Sequence, residues 1–536
     1  MKLKTDPLAT TAAPARLFAP LAIIIATWMA IYVWVAAWDD VALSFQDSVE
    51  YLRIADYYRG VIWGAPSEES IAFYRTTRLP PAFPVVLALF GAGTDSQHAA
   101  AWAMALTSLL AVLAIWRWQS LERTGPTSAV LLALAVLLYP EFFLLNLYPV
   151  SEPLAMLLLA VLLVLVGRND ISDTRLLAAA AVVGLMPLVR GAMLPMLVAF
   201  PLWLWLRRDR PRLSLLLPCL VAWLPYAAWS LYRSLIGAES YVAQLKEERM
   251  AVLGGWPEVL WLQPGRLFDA WIRNWALDAD ATITAIALLI AVAATCGFLW
   301  RLRRNRLDAW FLGGYVALLL VWPYPTEYGR FLVVVYPLVL VCGLDGLNAL
   351  LARLPAMQRS ARIVAGVILC TSVITLSAQT ASRFLHRAAL AVDPSLLGEK
   401  REPPFFKVAS DEAALMIVDI LGRSRHLIAA LAGKIGSDDC VYTVLPDMTH
   451  AIGRVKTRRY PTDLDHASSR QAATLLNECD WYLLINVETR EPRFAGLYPW
   501  QTLEDWTQPV LVSETRGSGQ TIPAALLLRR VTPTPE

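Results

Sequence analysis

The chain is built from apolar runs about as long as a bilayer is thick, parted by short basic loops. The first run, Leu17–Trp38, has about 22 residues, enough for a helix to cross ~30 Å of hydrocarbon. Further spans are predicted near residues 98–116, 127–145, 152–167, 175–189, 191–206, 213–236, 279–300, 308–322, 331–350 and 361–381, which makes eleven. Of 536 residues, 57% are hydrophobic and 17% charged, and mean hydropathy is +0.49. These values exclude a disordered chain and argue for a polytopic membrane protein, mainly α. The net charge of +3 is too small to point to nucleic acid as a partner.

Charge placement sets the orientation. Lys2, Lys4 and Arg16 precede the first span, which is too long for a signal-peptide core and lacks a small-residue cleavage site behind it. The positive-inside rule then puts the N-terminus in the cytoplasm of a plasma (inner) membrane and the 39–80 loop outside. The segment Pro81–Gly93 is apolar but about 13 residues long, and reads as a juxtamembrane or re-entrant helix. Counted so, each short inside loop is basic, among them Arg117–Arg123, Arg207–Arg212 and Arg301–Arg306. An odd span count leaves everything beyond residue 382 outside as well.

The composition changes there. Residues 1–382 read as the membrane domain, 383–407 as a Pro- and charge-bearing linker, and 408–536 as a small extracytoplasmic α/β domain. Strands are predicted at Val441–Leu445, Tyr482–Val487, Val510–Glu514 and Ala524–Arg530, with helices at Ser468–Glu478 and Pro499–Trp506. Cys440 and Cys479 each precede a predicted strand. If those strands are parallel neighbours, the pair is either a disulfide in an oxidising compartment or two reduced buried thiols.

The stretch Asp47–Pro84 is the first long polar interruption and carries the first candidates for chemistry. Asp47, Glu50 and Tyr51 fall at helical spacing on one face. Asp47 is either a capping acid or, partly desolvated at the membrane surface, a general base. Arg75 and Arg78 come just before Pro80 and Pro81, near the start of a helix, where guanidinium groups favour phosphate or lipid headgroups. Three more polar residues stand at outer span ends: Glu152 before Pro153, Arg190 between two spans with almost no loop, and Arg330 beside Glu327 and Tyr328. An arginine at such depth is by default a functional candidate; pairing with an acid is the structural alternative.

In order, these motifs are Asp-Ser-x-x-Tyr (47–51), Arg-Leu-Pro-Pro-x-x-Pro (78–84), Ser-Glu-Pro-Leu (151–154), a lone Arg between spans, and Tyr-Gly-Arg-Phe (328–331). The string resembles the GT-C glycosyltransferases, and within them the protein O-mannosyltransferase and aminoarabinose transferase branch. Ala-Ile-Gly-Arg (451–454) is similar to a Thr-Gly-Arg stretch of some members, without the threonine.

The resemblance implies a multi-span enzyme that takes a sugar from a polyprenyl-phosphate donor to a hydroxyl of a glycan, lipid or protein acceptor, with inversion. By position Asp47 is its base, and Tyr51, Arg75, Arg78, Glu152, Arg190, Tyr328 and Arg330 bind substrate. The family's motif often has two adjacent acids. Here Ser48 follows Asp47, and Asp39–Asp40 lies upstream, which leaves Asp40 as a rival base. A divalent metal stays open as a cofactor, with one carboxylate a poor anchor for it. The rival functions are a lipid-glycan transporter or flippase, which would place ionisable residues mid-span with repeat symmetry, and a scaffold with an outer binding domain, which would need none of these residues.

Overall fold

The computed structural model describes residues 22–30, 46–122, 125–146, 148–167, 171–207, 211–237, 256–273, 281–322, 327–351, 382, 411–436, 439–460, 464, 469–486, 503, 505–517 and 520–531. Asp39, Asp40, the predicted span 361–381, the 383–407 linker and most of Pro499–Trp506 lie outside them. The chain divides into two compact units. One comprises Met1–Ala36, Ile54–Gly93 and Ala99–Ala381; the other comprises Ala37–Arg53, Thr94–His98 and Ser382–Glu536.

The first unit is helical. Residues 22–30 form α1. α2 (Gln46–Trp63), whose residues up to Arg53 belong to the second unit, α3 (Glu68–Thr76) and the short α4 (Ala82–Leu89) follow. Ser67 starts α3 by accepting from the Ser70 N–H at 3.2 Å. α4 has eight residues, too few to cross a bilayer. Next come α5 (Gln97–Leu121), α6 (Gly125–Leu137), α7 (Pro140–Leu145), α8 (Glu152–Val166), α9 (Asp173–Val189), α10 (Pro195–Leu206) and α11 (Leu216–Leu235). The predicted span 127–145 is thus two helices. Pro140 drives the residue before it out of helical geometry, and the break falls at Leu138–Tyr139.

The unit closes with α12 (Trp256–Arg273), α13 (Ala281–Arg303), α14 (Leu307–Leu320) and α15 (Tyr328–Leu351). Three described helices are long and apolar enough to cross a membrane by length and composition: Gln97–Leu121, Thr284–Arg303 and Tyr328–Leu350. Glu152–Val166, Gly191–Leu206 and Leu307–Leu320 are apolar but shorter. α13 and α15 cross with almost no side chain between them. A Cβ on Gly297 would strike the Cys342 carbonyl, and one on Gly346 the Ala293 carbonyl. Small residues four apart on each helix let the backbones meet, as in membrane helix pairs.

In the second unit, α16 (Asp411–Ala429), α17 (Pro446–Gly453) and α18 (Ser469–Leu475) accompany a five-stranded sheet. Its strands are β1 (Cys440–Thr443), β2 (Lys456–Arg459), β3 (Trp481–Ile485), β4 (Thr507–Gly517) and β5 (Gln520–Arg530), in the order β2-β1-β3-β5-β4. β1 is parallel to both neighbours; β5 is antiparallel to β3 and β4. Every residue of β3 is buried, as expected of a central strand covered on both faces. Pro509 sits on β4, an edge strand, where its missing N–H costs least. Cys440 and Cys479 are disulfide-bonded, with Cα atoms 5.0 Å apart. The parallel pairing of β1 and β3 is what brings them together.

Candidate functional site

Three of the candidate residues meet inside the helical unit. Ser151–Glu152–Pro153 opens α8, and the proline is well placed in a first turn that lacks N–H partners. Arg190 is the extended residue that ends α9 before a 3-10 turn, Gly191–Met193. Arg330 lies in the first turn of α15. α8 and α9 pack against each other, and the Glu152–Arg190 contact sets the start of one by the end of the other.

Glu152 Oε1 accepts from Arg190 Nη1 at 2.9 Å and from Arg330 Nε. Glu152 is fully buried, and each arginine is 6% exposed. Ser151 Oγ takes a second bond from Arg190 Nη1 at 3.1 Å. The Phe331 ring lies under the Arg190 guanidinium, 4.5 Å from its carbon. Tyr315, also fully buried, accepts from Arg190 and donates to the Phe331 carbonyl at 3.0 Å. At the rim, Arg330 Nη1 reaches Glu327 at 3.4 Å, whose side chain is 39% exposed.

Two polar atoms of this cluster have no hydrogen-bond partner among the described residues: Glu152 Oε2, an acceptor, and Arg190 Nε, a donor. Buried groups left so cost ~1–3 kcal/mol each, more when charged. The cluster therefore offers one buried acceptor, one buried donor and more cationic than anionic charge behind the rim. Such a set accepts an anion that also carries a hydroxyl.

The other candidates stand elsewhere. Asp47 is half-buried in the first turn of α2, with Ser48, Val49 and Tyr51 buried beside it. Arg75 is exposed in the last turn of α3, and Arg78 is half-buried between α3 and α4. The Tyr328 hydroxyl is 2.8 Å from the Leu319 carbonyl and 2.7 Å from the Gln263 side chain, and so ties α15 to α14 and α12. Beside Arg75, Tyr57 and Tyr74 stack at 4.2 Å, and Tyr58 donates to Tyr74 at 2.9 Å. Burial pushes the Tyr58 hydroxyl well above the usual phenol range.

Among the described residues no group of three or more His, Cys, Asp or Glu side chains gathers to hold a metal ion. Glu152 does not fit one either, because two guanidinium groups occupy the approach to its bound oxygen.

Sequence reasoning missed Ser151, Phe331 and Tyr315. The first two lie inside the motifs that named Glu152 and Arg330, one residue away. Tyr315 gave no signal in its apolar helix beyond its hydroxyl. The α12 helix was missed as well.

No family model matches the chain, and no curated protein does. Solved structures do match in fold. ArnT from Cupriavidus metallidurans, bound to undecaprenyl phosphate, is similar with a TM-score of 0.51 and 15% identity, over 97% of this chain and 99% of that one. The oligosaccharyltransferase of Archaeoglobus fulgidus in the apo form is similar with a TM-score of 0.50 and 11% identity, over 95% of this chain and 74% of that one. At these identities the likeness is one of fold alone: the chain shares the fold of ArnT and of the archaeal oligosaccharyltransferase.

Proposed function

We propose that the protein is a membrane glycosyltransferase that moves a sugar from a polyprenyl-phosphate donor to an acceptor hydroxyl on the extracytoplasmic side. The observation that carries this is the buried Glu152 carboxylate held by Arg190 and Arg330, with one acceptor and one donor atom left unpartnered. A sugar phosphate supplies both complements, a hydroxyl for Glu152 Oε2 and a phosphate oxygen for Arg190 Nε. The undecaprenyl phosphate bound by ArnT, a protein of the same fold, supports the same ligand class.

In this reading the acceptor oxygen attacks the anomeric carbon as its bond to the phosphate oxygen breaks, inverting the centre. The acceptor proton passes to the Asp47 carboxylate. Prenyl phosphate leaves as an anion, its growing charge held by the arginines. Arg75, Arg78 and Tyr51 contribute to substrate binding on the strength of their motifs, and Tyr328, buried with its hydroxyl engaged, acts by holding the start of the helix that carries Arg330. The basic inside loops and the Cys440–Cys479 disulfide favour a cytoplasmic N-terminus, eleven spans and a C-terminal domain outside.

The test is transfer from a polyprenyl-phosphate sugar by the purified full chain. Arg190→Lys keeps the charge but loses Nε and the planar fork. Its donor KM should rise about tenfold or more, the loss of one charge-assisted bond of ~1.5–3 kcal/mol. An unaltered donor KM with a lowered melting temperature would make Arg190 a structural partner of Glu152 and sink the donor site.

A further inference from the structure

Helix α8 carries polar groups at both ends. Its 15 residues span about 22 Å. At the end away from Glu152, a cavity of about 380 Å³ opens among Leu163, Val166 and Gly167, Trp118 and Glu122 after α5, Trp203 and Arg207 at the end of α10, and the Arg304–Asp308 turn between α13 and α14. Its lining combines aliphatic and indole groups with Arg207, Arg304 and Arg306 and the carboxylates of Glu122 and Asp308.

The two carboxylates in the lining are already engaged. Glu122 takes Arg306 and the Trp118 indole N–H at 3.1 Å on Oε1, and Arg301 at 2.8 Å on Oε2. Asp308 takes Arg301 on Oδ2 and the Ala309 N–H at 2.9 Å on Oδ1. Arg301 is buried and also bonds Asp345.

Arg304 lies over the Trp300 ring at 3.9 Å, and Arg207 over Trp203 at 5.2 Å. Stacking uses the flat face of a guanidinium, so the exposed Arg304 keeps its N–H edge in the plane for hydrogen bonds, while Arg207 adds positive charge beside it. The rim is fixed in place by Asn305, which adopts the left-handed conformation at φ 51°. Asn305 accepts from the Trp310 indole at 2.8 Å and donates to the Trp203 carbonyl at 3.4 Å. Beside the arginines, Leu202, Trp205 and Leu206 of α10 and Leu299 of α13 are exposed. An arginine rim over an exposed apolar face is the arrangement that suits an amphiphile with an anionic head.

We propose that this cavity seats the phosphate of an anionic membrane phospholipid on Arg207 and Arg304, with its acyl chains along the exposed face of α10 and α13. The site is separate from the Glu152 cluster and does not depend on the reaction proposed for it.

The experiment is native mass spectrometry of the full chain released from bilayer discs of equal phosphatidylglycerol and phosphatidylcholine. Wild type should retain phosphatidylglycerol over phosphatidylcholine. The Arg207→Gln/Arg304→Gln variant should retain at least tenfold less, and the Arg207→Lys/Arg304→Lys variant an intermediate amount. A second arm adds inorganic phosphate or glycerol phosphate to the delipidated protein and reads its melting temperature. Should these raise it in wild type only, with no phosphatidylglycerol retained, the ligand is a soluble phosphate and the lipid assignment is overturned. Equal phosphatidylglycerol retention by wild type and the glutamine variant overturns the site itself. If the glutamine pair does not fold, Leu163→Trp takes its place, filling the cavity from α8 with every charge kept.

Discussion

Glu152 and Arg190 meet at 2.9 Å, the first residue of one helix against the residue that ends the next. Arg330 shares the same carboxylate oxygen, so the three side chains act as one unit. Glu152→Ala strands two buried cations and should cost ~3–5 kcal/mol of stability. Arg190→Ala and Arg330→Ala should not add: the double variant should lie well short of the summed single losses. Chemical unfolding of the four proteins reads the coupling, and strict additivity would mean the arginines do not share Glu152.

Asp47→Asn tests the proposed base. It should abolish transfer while leaving expression and melting temperature as in wild type, because Asp47 is half-buried in a first helical turn where asparagine also fits. Near-normal turnover by the folded variant would rule Asp47 out and make Asp40→Asn the next experiment.

Gly297→Val should prevent stable folding. The new side chain has to enter the space of the Cys342 carbonyl, and backbone does not move aside cheaply. Gly433→Ala, at a position with nothing near its missing Cβ, is the matched control. Yield and gel-filtration profile in detergent give the comparison.

Removing the Cys440–Cys479 link should loosen the C-terminal unit. The bridge joins positions 39 apart, for which loop entropy gives ~4 kcal/mol. Cys440→Ser/Cys479→Ser should therefore be cleaved by protease in the 440–480 region at a lower temperature than wild type. Identical protection would show that the sheet pairing alone holds β1 to β3.

The C-terminal unit should also lose stability in alkali. The Tyr482 hydroxyl donates to the Leu476 and Cys479 carbonyls and is buried, and burial pushes it up to about 12. Its folded pKa is thus above the unfolded value of about 10. The stabilising contribution is full below pH ~10 and is lost as pH rises through about 12. Hydrogen exchange of β3 should speed up across that window in wild type, and much less in Tyr482→Phe.

Much of this site could be read from residue order. Pro153 marks where a helix starts, so Glu152 had to lie in a first turn; Arg190 stood between two apolar runs with no room for a loop. Their meeting was not legible, because spacing along the chain does not say which helix ends converge. The Arg330–Glu327 pair was visible as a neighbour contact, while the stronger partner, Glu152, lies 178 positions away. Helix α12 is amphipathic and carries Glu258, Arg266, Asp269 and Arg273, so a search for membrane-length apolar runs passes over it. Arg301 counted only as a basic loop residue; nothing local announced three carboxylates from three other places in the chain.

Arg233, buried in the last turn of α11, donates to the carbonyls of Tyr74 and Thr77 and so completes the end of α3. Those carbonyls leave the ribosome 159 and 156 residues ahead of their partner. At ~5–20 residues per second that is a lag of roughly 8–30 s. Until then Arg75 offsets the helix dipole, but the Tyr74 and Thr77 carbonyls at the end of α3 lack the Arg233 guanidinium. The first polar segment of the chain therefore reaches its final form only after most of the helices behind it have been made, and a chain stalled before Arg233 would carry it unfinished.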